Sequence, residues 1–207
     1  MPPLSTHFRL ATLVMPLLGI TTPQVSYFFL GTIAPDAFDP ESEENFSRHH
    51  FKGKDGRISL EHFLKETNFI FEPSNNSSWS LSCGYYSHLW LDAFYRDNAD
   101  RLPIKKPIGI SDIDLRSLVR RETEILNAPC VLDIGNLLSL QFEDLSLPVG
   151  LQFVELERCF HLFHEVLKQS QAWSQFVPTF ESIDEGEYTS FFENLSKIFR
   201  NEIRNAA

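Results

Sequence analysis

Along most of this chain apolar residues recur at intervals of three and four, the spacing that gathers side chains on one face of an α-helix. Thr6 to Leu18 predicts a first helix with Ser5 or Thr6 as its cap. Pro23 to Ala34 predicts a second, opened by Thr22-Pro23 and stopped at Pro35. Asp39 to Arg57 is polar and broken by Pro, Gly and Asp-Gly, so it reads mostly as loop. Leu60, Phe63, Leu64 and Phe71 give a helix over Ile58 to Phe71, and Glu72 to Ser78 is a linker. A strong helical pattern then fills Trp79 to Asp97, followed by a proline-rich crossing from Pro103 to Pro107. Asp112 to Asn127 alternates charge with Leu115, Leu118, Val119 and Ile125, the pattern of a solvated amphipathic helix. Val131 to Leu147 is ambiguous. The stripes from Phe153 to Leu167 and from Tyr188 to Phe199 predict the last two helices. Strand-like alternation is weak everywhere and no repeat is present. The expectation is an all-α protein, one domain over residues 1–207, built as a compact bundle with a metal site between its core helices.

Composition narrows the partners. The 207 residues suffice to bury a core, and 43% apolar with 22% charged residues is ordinary globular material. The 19 Phe fall largely at helical spacing, so packing explains them. A net charge of −10 disfavours a nucleic-acid backbone and disfavours attraction to anionic membranes, while clustered carboxylates suit a cation. Cys83, Cys130 and Cys159 are scattered without a CxxC, which predicts free thiols. Leu10 to Ile20 resembles the core of a signal peptide, but Pro16 interrupts it and no small-residue cleavage site follows. The expected location is therefore cytoplasmic.

Candidate chemistry starts at Gly84-Tyr-Tyr-Ser-His88-Leu-Trp-Leu-Asp92. A His and an Asp four apart on a helix project from one face, and imidazole nitrogen and carboxylate oxygen are both zinc donors. Leu89, Trp90, Leu91 and Phe94 surround the pair, so both are expected inside, where a carboxylate is costly unless paired or ligated. His49-His50 and His7 are further candidates. Asp36 ends an apolar helix, where its charge opposes the macrodipole and a cation would compensate it. Tyr85, Tyr86, Trp90 and Phe51 could border a pocket, although core packing explains each as well.

Together these residues resemble the bacterial zinc-dependent phospholipase C family, whose more distant relatives include the single-strand-specific zinc nucleases. Ser5-Thr-His7-Phe is similar to the family's first-helix histidine, and Gly31-Thr-Ile-Ala-Pro-Asp36 to its Gly-x-x-Ala-x-Asp stretch. His50-Phe51 follows Asp36 by fourteen positions, as in the family, and Gly84…His88-x-x-x-Asp92 completes the series. The match covers roughly residues 5 to 97. It implies one zinc on Asp36, His50, His88 and Asp92, and a second on His7 and the other oxygen of Asp92. For a third ion, His161 and Glu165 in His161-Leu-Phe-His164-Glu165 have the family's His-x-x-x-Glu spacing, with His164 beside them.

Three departures from the family are visible. Asn98 stands where the family has a further histidine, the His-x-x-x-Glu pair falls late in the chain, and no Trp precedes His7 to serve as the processed terminal ligand of the secreted members. The resemblance thus implies a two-zinc site more firmly than a three-zinc one. The activity it implies is hydrolysis of a small-molecule or lipid phosphate ester, with Asp36 as ligand or general base and with transient membrane contact if the ester is a lipid. Two other readings stay open: a metal-stapled helical binding protein without catalysis, and a zinc nuclease, for which no basic track is visible. Other chemistries have less support. Lys54 to Glu61 resembles the middle of an EF-hand loop, but Phe51 and His62 occupy its essential acidic positions. No adjacent His-Asp pair and no Gly-x-Ser-x-Gly elbow occurs.

Overall fold

The computed structural model describes residues 2–22, 24–37, 50–70, 76–138, 156–176 and 179–206. Among them are seven α-helices: α1 (Leu4–Leu17), α2 (Val25–Ile33), α3 (Leu60–Thr67), α4 (Ser77–Asp97), α5 (Asp112–Leu138), α6 (Leu156–Trp173) and α7 (Glu185–Ala206). Isolated bridges at Lys52–Ile58 and Ile104–Ile183 are the only β-pairing among the described residues. The all-α expectation holds, and no described helix is long and apolar enough to cross a membrane.

Helix ends follow local chemistry. The Asn76 side chain accepts a hydrogen bond from the Trp79 N–H at 2.8 Å and starts α4, and Ser59 accepts from the His62 N–H at 3.1 Å and starts α3. Asn68, with φ 49°, turns α3 off before the predicted Phe71. Ser5 and Thr6 are not caps. Pro3, extended at ψ 154°, leads the chain into α1, and both hydroxyl residues lie buried inside that helix. Helix α5 runs past Asn127 and through Pro129 because Val131 and Ile134 keep contributing to the core. Residues 139–147 of the ambiguous stretch, Phe153 and His49 lie outside the described residues.

The largest helix–helix interface is that of α2 with α4. Two glycines make it possible. A Cβ on Gly31 would strike the Leu81 carbonyl, and one on Gly84 would strike the Phe28 carbonyl, so the two backbones touch where any side chain would hold them apart. Helix α1 packs across this pair and also against α5 and α7, and α5 in turn carries α6. Phe8, Phe28, Phe29, Phe63, Phe163, Phe192 and Phe199 are fully buried, which explains much of the phenylalanine content. The thiols are free, with Cys83 and Cys159 buried and Cys130 half-buried.

Glu122 ties the C-terminal part to α5. Its carboxylate is buried and accepts from the backbone N–H groups of Glu181, Ser182 and Ile183 at 2.8–3.0 Å and from the Ser182 hydroxyl at 2.7 Å. At Ser182 and Ile183 these bonds satisfy donors that would otherwise be buried without partners.

Candidate metal centre

The α2–α4 contact sets the first part of the site. With the two backbones this close, the His88 ring on α4 reaches the Thr32 carbonyl on α2, its Nδ1 donating at 2.8 Å. That bond commits Nδ1 to the carbonyl and leaves Nε2 facing inward, where a cation can replace its proton. One turn further along α4, Asp92 Oδ2 lies 3.6 Å from His88 Nε2, and both residues are buried. Asp36 follows α2 in a short 3-10 turn, Ala34–Asp36, and its Oδ1 lies 3.6 Å from His88 Nε2.

His50 arrives from the turn ahead of α3. Phe51, next to it, holds a left-handed backbone (φ 47°) and inserts its ring against Phe63 and Tyr85. A non-glycine residue tolerates that conformation only when its surroundings enforce it, so the aromatic anchor sets where His50 points. His50 Nε2 sits 3.4 Å from Asp36 Oδ1 and 3.8 Å from Asp92 Oδ2. From α1, the His7 ring stacks on His88 with centroids 3.7 Å apart, and its Nε2 lies 3.4 Å from Asp92 Oδ1. Five residues spread over 86 positions of sequence therefore meet at one point.

Two groups of ligand atoms result, His7–His88–Asp92 and Asp36–His50–His88, each within the span that a single cation could bridge. Asp92 divides between them: Oδ2 faces His50 and His88, and Oδ1 faces His7. Neither Asp92 oxygen makes a hydrogen bond within the protein, and neither does Nε2 of His7 or His88, although all four atoms are sealed from solvent. Buried polar atoms without such bonds cost ~1–3 kcal/mol each, a cost that attraction between the carboxylates and the histidines offsets and that a bound cation would offset further. A hard or borderline cation with N and O preference fits that donor set.

Charge within the cluster is strongly redistributed. Burial would push the Asp92 carboxyl up, but His7 and His88 outweigh it and hold the group well below the usual carboxylate range. Asp36 behaves alike: burial raises it, and the His88 charge with the His50 hydrogen bond lowers it further than that. The histidines diverge. Burial and the neighbouring His88 charge lower His7, whereas for His88 the Asp36 and Asp92 carboxylates overcome burial and raise it. One imidazole thus favours the neutral form and the other the protonated form, the state a cation would displace.

The other sequence candidates lie elsewhere. His161 and Glu165 are exposed on α6, as is His164, and none of them enters either ligand group. Helix α6 turns its apolar stripe to the core and leaves these positions on the solvent side, although Glu165 borders a cavity of about 670 Å³ onto which Asp36 opens. Asn98 closes α4, donating to the Phe94 carbonyl. Tyr85, Tyr86 and Trp90 are core, and Tyr86 and Trp90 both donate to Glu202 of α7, at 3.1 and 2.6 Å. A second cavity, of about 730 Å³, reaches Asp92, and Pro2, Pro3 and Arg120 border both spaces. Sequence patterning missed the Thr32 carbonyl, because a backbone acceptor carries no residue signature. It also missed the cavity face of α5, although its spacing is regular. None of the family models, curated proteins or solved structures compared with this chain matches it.

Proposed function

We propose that this chain is a zinc-dependent hydrolase of phosphate esters. One ion would be held by Asp36, His50, His88 and Asp92, and a second by His7 with the remaining oxygen of Asp92. The carrying observation is Asp92 itself: a sealed carboxylate whose two oxygens face different histidines and make no hydrogen bond within the protein. Zinc in such a site supplies positive charge to a phosphoryl oxygen and makes nearby water acidic enough to attack near neutral pH. The chain's own groups do the rest. His88 is locked by Thr32 so that it cannot swing away, and the stacked His7 ring is held beside it. Asp36 is the only cluster member with appreciable solvent access, at 23% side-chain exposure, and it opens onto a cavity. Placed there, it either completes the ligands of the first ion or, released from it, orients water and accepts its proton. The resemblance of residues 5–97 to the zinc-dependent phospholipase C family supports the same reading.

The test begins with zinc counted per purified chain by mass spectrometry. Hydrolysis of a chromogenic phosphodiester is then followed before chelation, after it, and after zinc is restored. Activity should track zinc and fall at least a hundredfold in Asp36→Asn. Full activity in that variant would refute the role of Asp36. Bound zinc with no turnover of any phosphate ester would instead favour a metal that only staples the helices.

A further inference from the structure

The cavity that reaches Asp92 from the α5 side has a composition unlike the rest of the molecule. Helix α5 contributes Leu115, Arg116, Val119, Arg120 and Thr123, a run spaced 1, 3, 1, 3 that forms one helical face. Leu102 and Ile104 extend its apolar wall. Lys52 and Arg96 bring two more cationic side chains to the lining, and Asp92, deep inside, is the one acid among the described residues there. Among the described residues that is four basic against one acidic, in a chain where Asp and Glu outnumber Lys and Arg by 28 to 18. Asp97 already orients Arg96 at 2.7 and 2.9 Å, and Glu124 orients Arg120 at 3.2 Å. Each guanidinium has five N–H donors in all, so both keep several for a ligand while being held in place.

From this geometry we infer that the cavity binds an anionic amphiphile: its tail lies along Leu102, Ile104, Leu115 and Val119, and its anionic group meets the arginines of α5. A cationic amphiphile of the same length is disfavoured, since Lys52 and Arg116 add positive charge beyond the Arg96–Asp97 and Arg120–Glu124 pairs. As a statement about substrate, this deepens the hydrolase reading and rests on it, selecting phosphate esters that carry an apolar chain and no cationic head. As a statement about binding, it requires no metal.

The experiment uses the full chain stripped of metal, with decyl phosphate below its micelle-forming concentration as probe and calorimetry as readout. Decyl phosphate should bind at least tenfold more tightly than decyltrimethylammonium and far more tightly than inorganic phosphate. The double variant Arg116→Gln/Arg120→Gln should lose at least tenfold for decyl phosphate, and Leu115→Asp should lose a similar factor while its helical circular dichroism is unchanged. Lys197→Gln, on α7 and away from the lining, should bind as the parent does. Equal binding of the two amphiphiles, no binding of decyl phosphate, or an unaffected arginine double variant would each overturn the inference. Because the probe binds without zinc, selective binding together with absent hydrolysis would sink only the hydrolase reading. Zinc-dependent cleavage of a small diester with no amphiphile binding would sink only this inference.

Discussion

Replacing Gly84 by alanine tests whether the α2–α4 contact builds the site. The new methyl would overlap the Phe28 carbonyl and press on the Thr32 N–H, both backbone atoms of α2 that cannot rotate aside. Relief requires the helices to separate by about 1 Å or more, an overpacking that costs ~1–3 kcal/mol. Alanine's better helix propensity returns about 1 kcal/mol. The same movement stretches the His88–Thr32 hydrogen bond from 2.8 Å toward ~4 Å, beyond bonding range, for a further loss of about 1 kcal/mol. The net destabilisation is about 2 kcal/mol, or roughly 4–8 °C in melting temperature for a chain this size. His88 would lose its orienting partner, which typically weakens metal binding about 10- to 100-fold. Urea unfolding of the metal-free protein measures the first effect, and zinc affinity by competition with a chromogenic chelator measures the second. Gly135→Ala is the control, since its methyl would meet only the flexible end of Leu167 and should leave zinc affinity unchanged. If Gly84→Ala kept both its unfolding midpoint and its zinc affinity within twofold, the argument from backbone contact would be wrong.

Several further outcomes follow from the same geometry. Asp92→Asn should lose both ions, seen as zinc content falling below one per chain, because in the proposed arrangement Asp92 supplies one oxygen to each ion. In the metal-free protein the Asp92 and Asp36 carboxyls lie below their ordinary values. Their contribution to stability is therefore complete above about pH 4 and is lost as the pH falls through the lowered folded values. The urea midpoint should drop in that acid window, with a shallower drop in Asp92→Asn. Glu122→Ala should destabilise by ~3 kcal/mol, as it strands several buried donors, yet leave zinc stoichiometry intact in the protein that remains folded. His161→Ala should leave zinc per chain unchanged, because its ring is exposed on α6; a lost ion there would show that α6 does supply a ligand.

The helices were legible because their apolar stripes have a period that only an α-helix satisfies, as in α7, where Tyr188, Phe192, Leu195 and Phe199 are all buried. Ends were less legible. The left-handed Asn68 and the entry at Pro3 depend on one residue's backbone, which periodicity does not report. Within the candidate site, the i,i+4 pair His88–Asp92 could be read directly, since one helix fixes its geometry. Bringing in His7, Asp36 and His50 required tertiary packing, which the pattern of order and spacing could only anticipate by likeness to a family. His161 and Glu165 share the i,i+4 spacing of His88 and Asp92, but they sit on the solvent side of their helix. Spacing alone does not distinguish an inward face from an outward one. The arginines of α5 went unremarked for the opposite reason: on an amphipathic surface helix, charged residues beside leucine and valine look like ordinary solvation until a facing wall is known.

The cluster draws every side chain from the first 92 residues, whereas the α5 cavity face begins at Leu115. Asp92 belongs to both, but the α5 face of the cavity lies in a separate stretch of chain from the rest of the cluster. A substitution at Arg116, an exposed position, disturbs no ligand and little of the core, so it is cheap for the fold. A change at His88 or Gly84 disturbs both at once. Descendants of such a chain can therefore remodel the cavity wall through a few replacements on a single helix, while the His and Asp cluster is inherited intact.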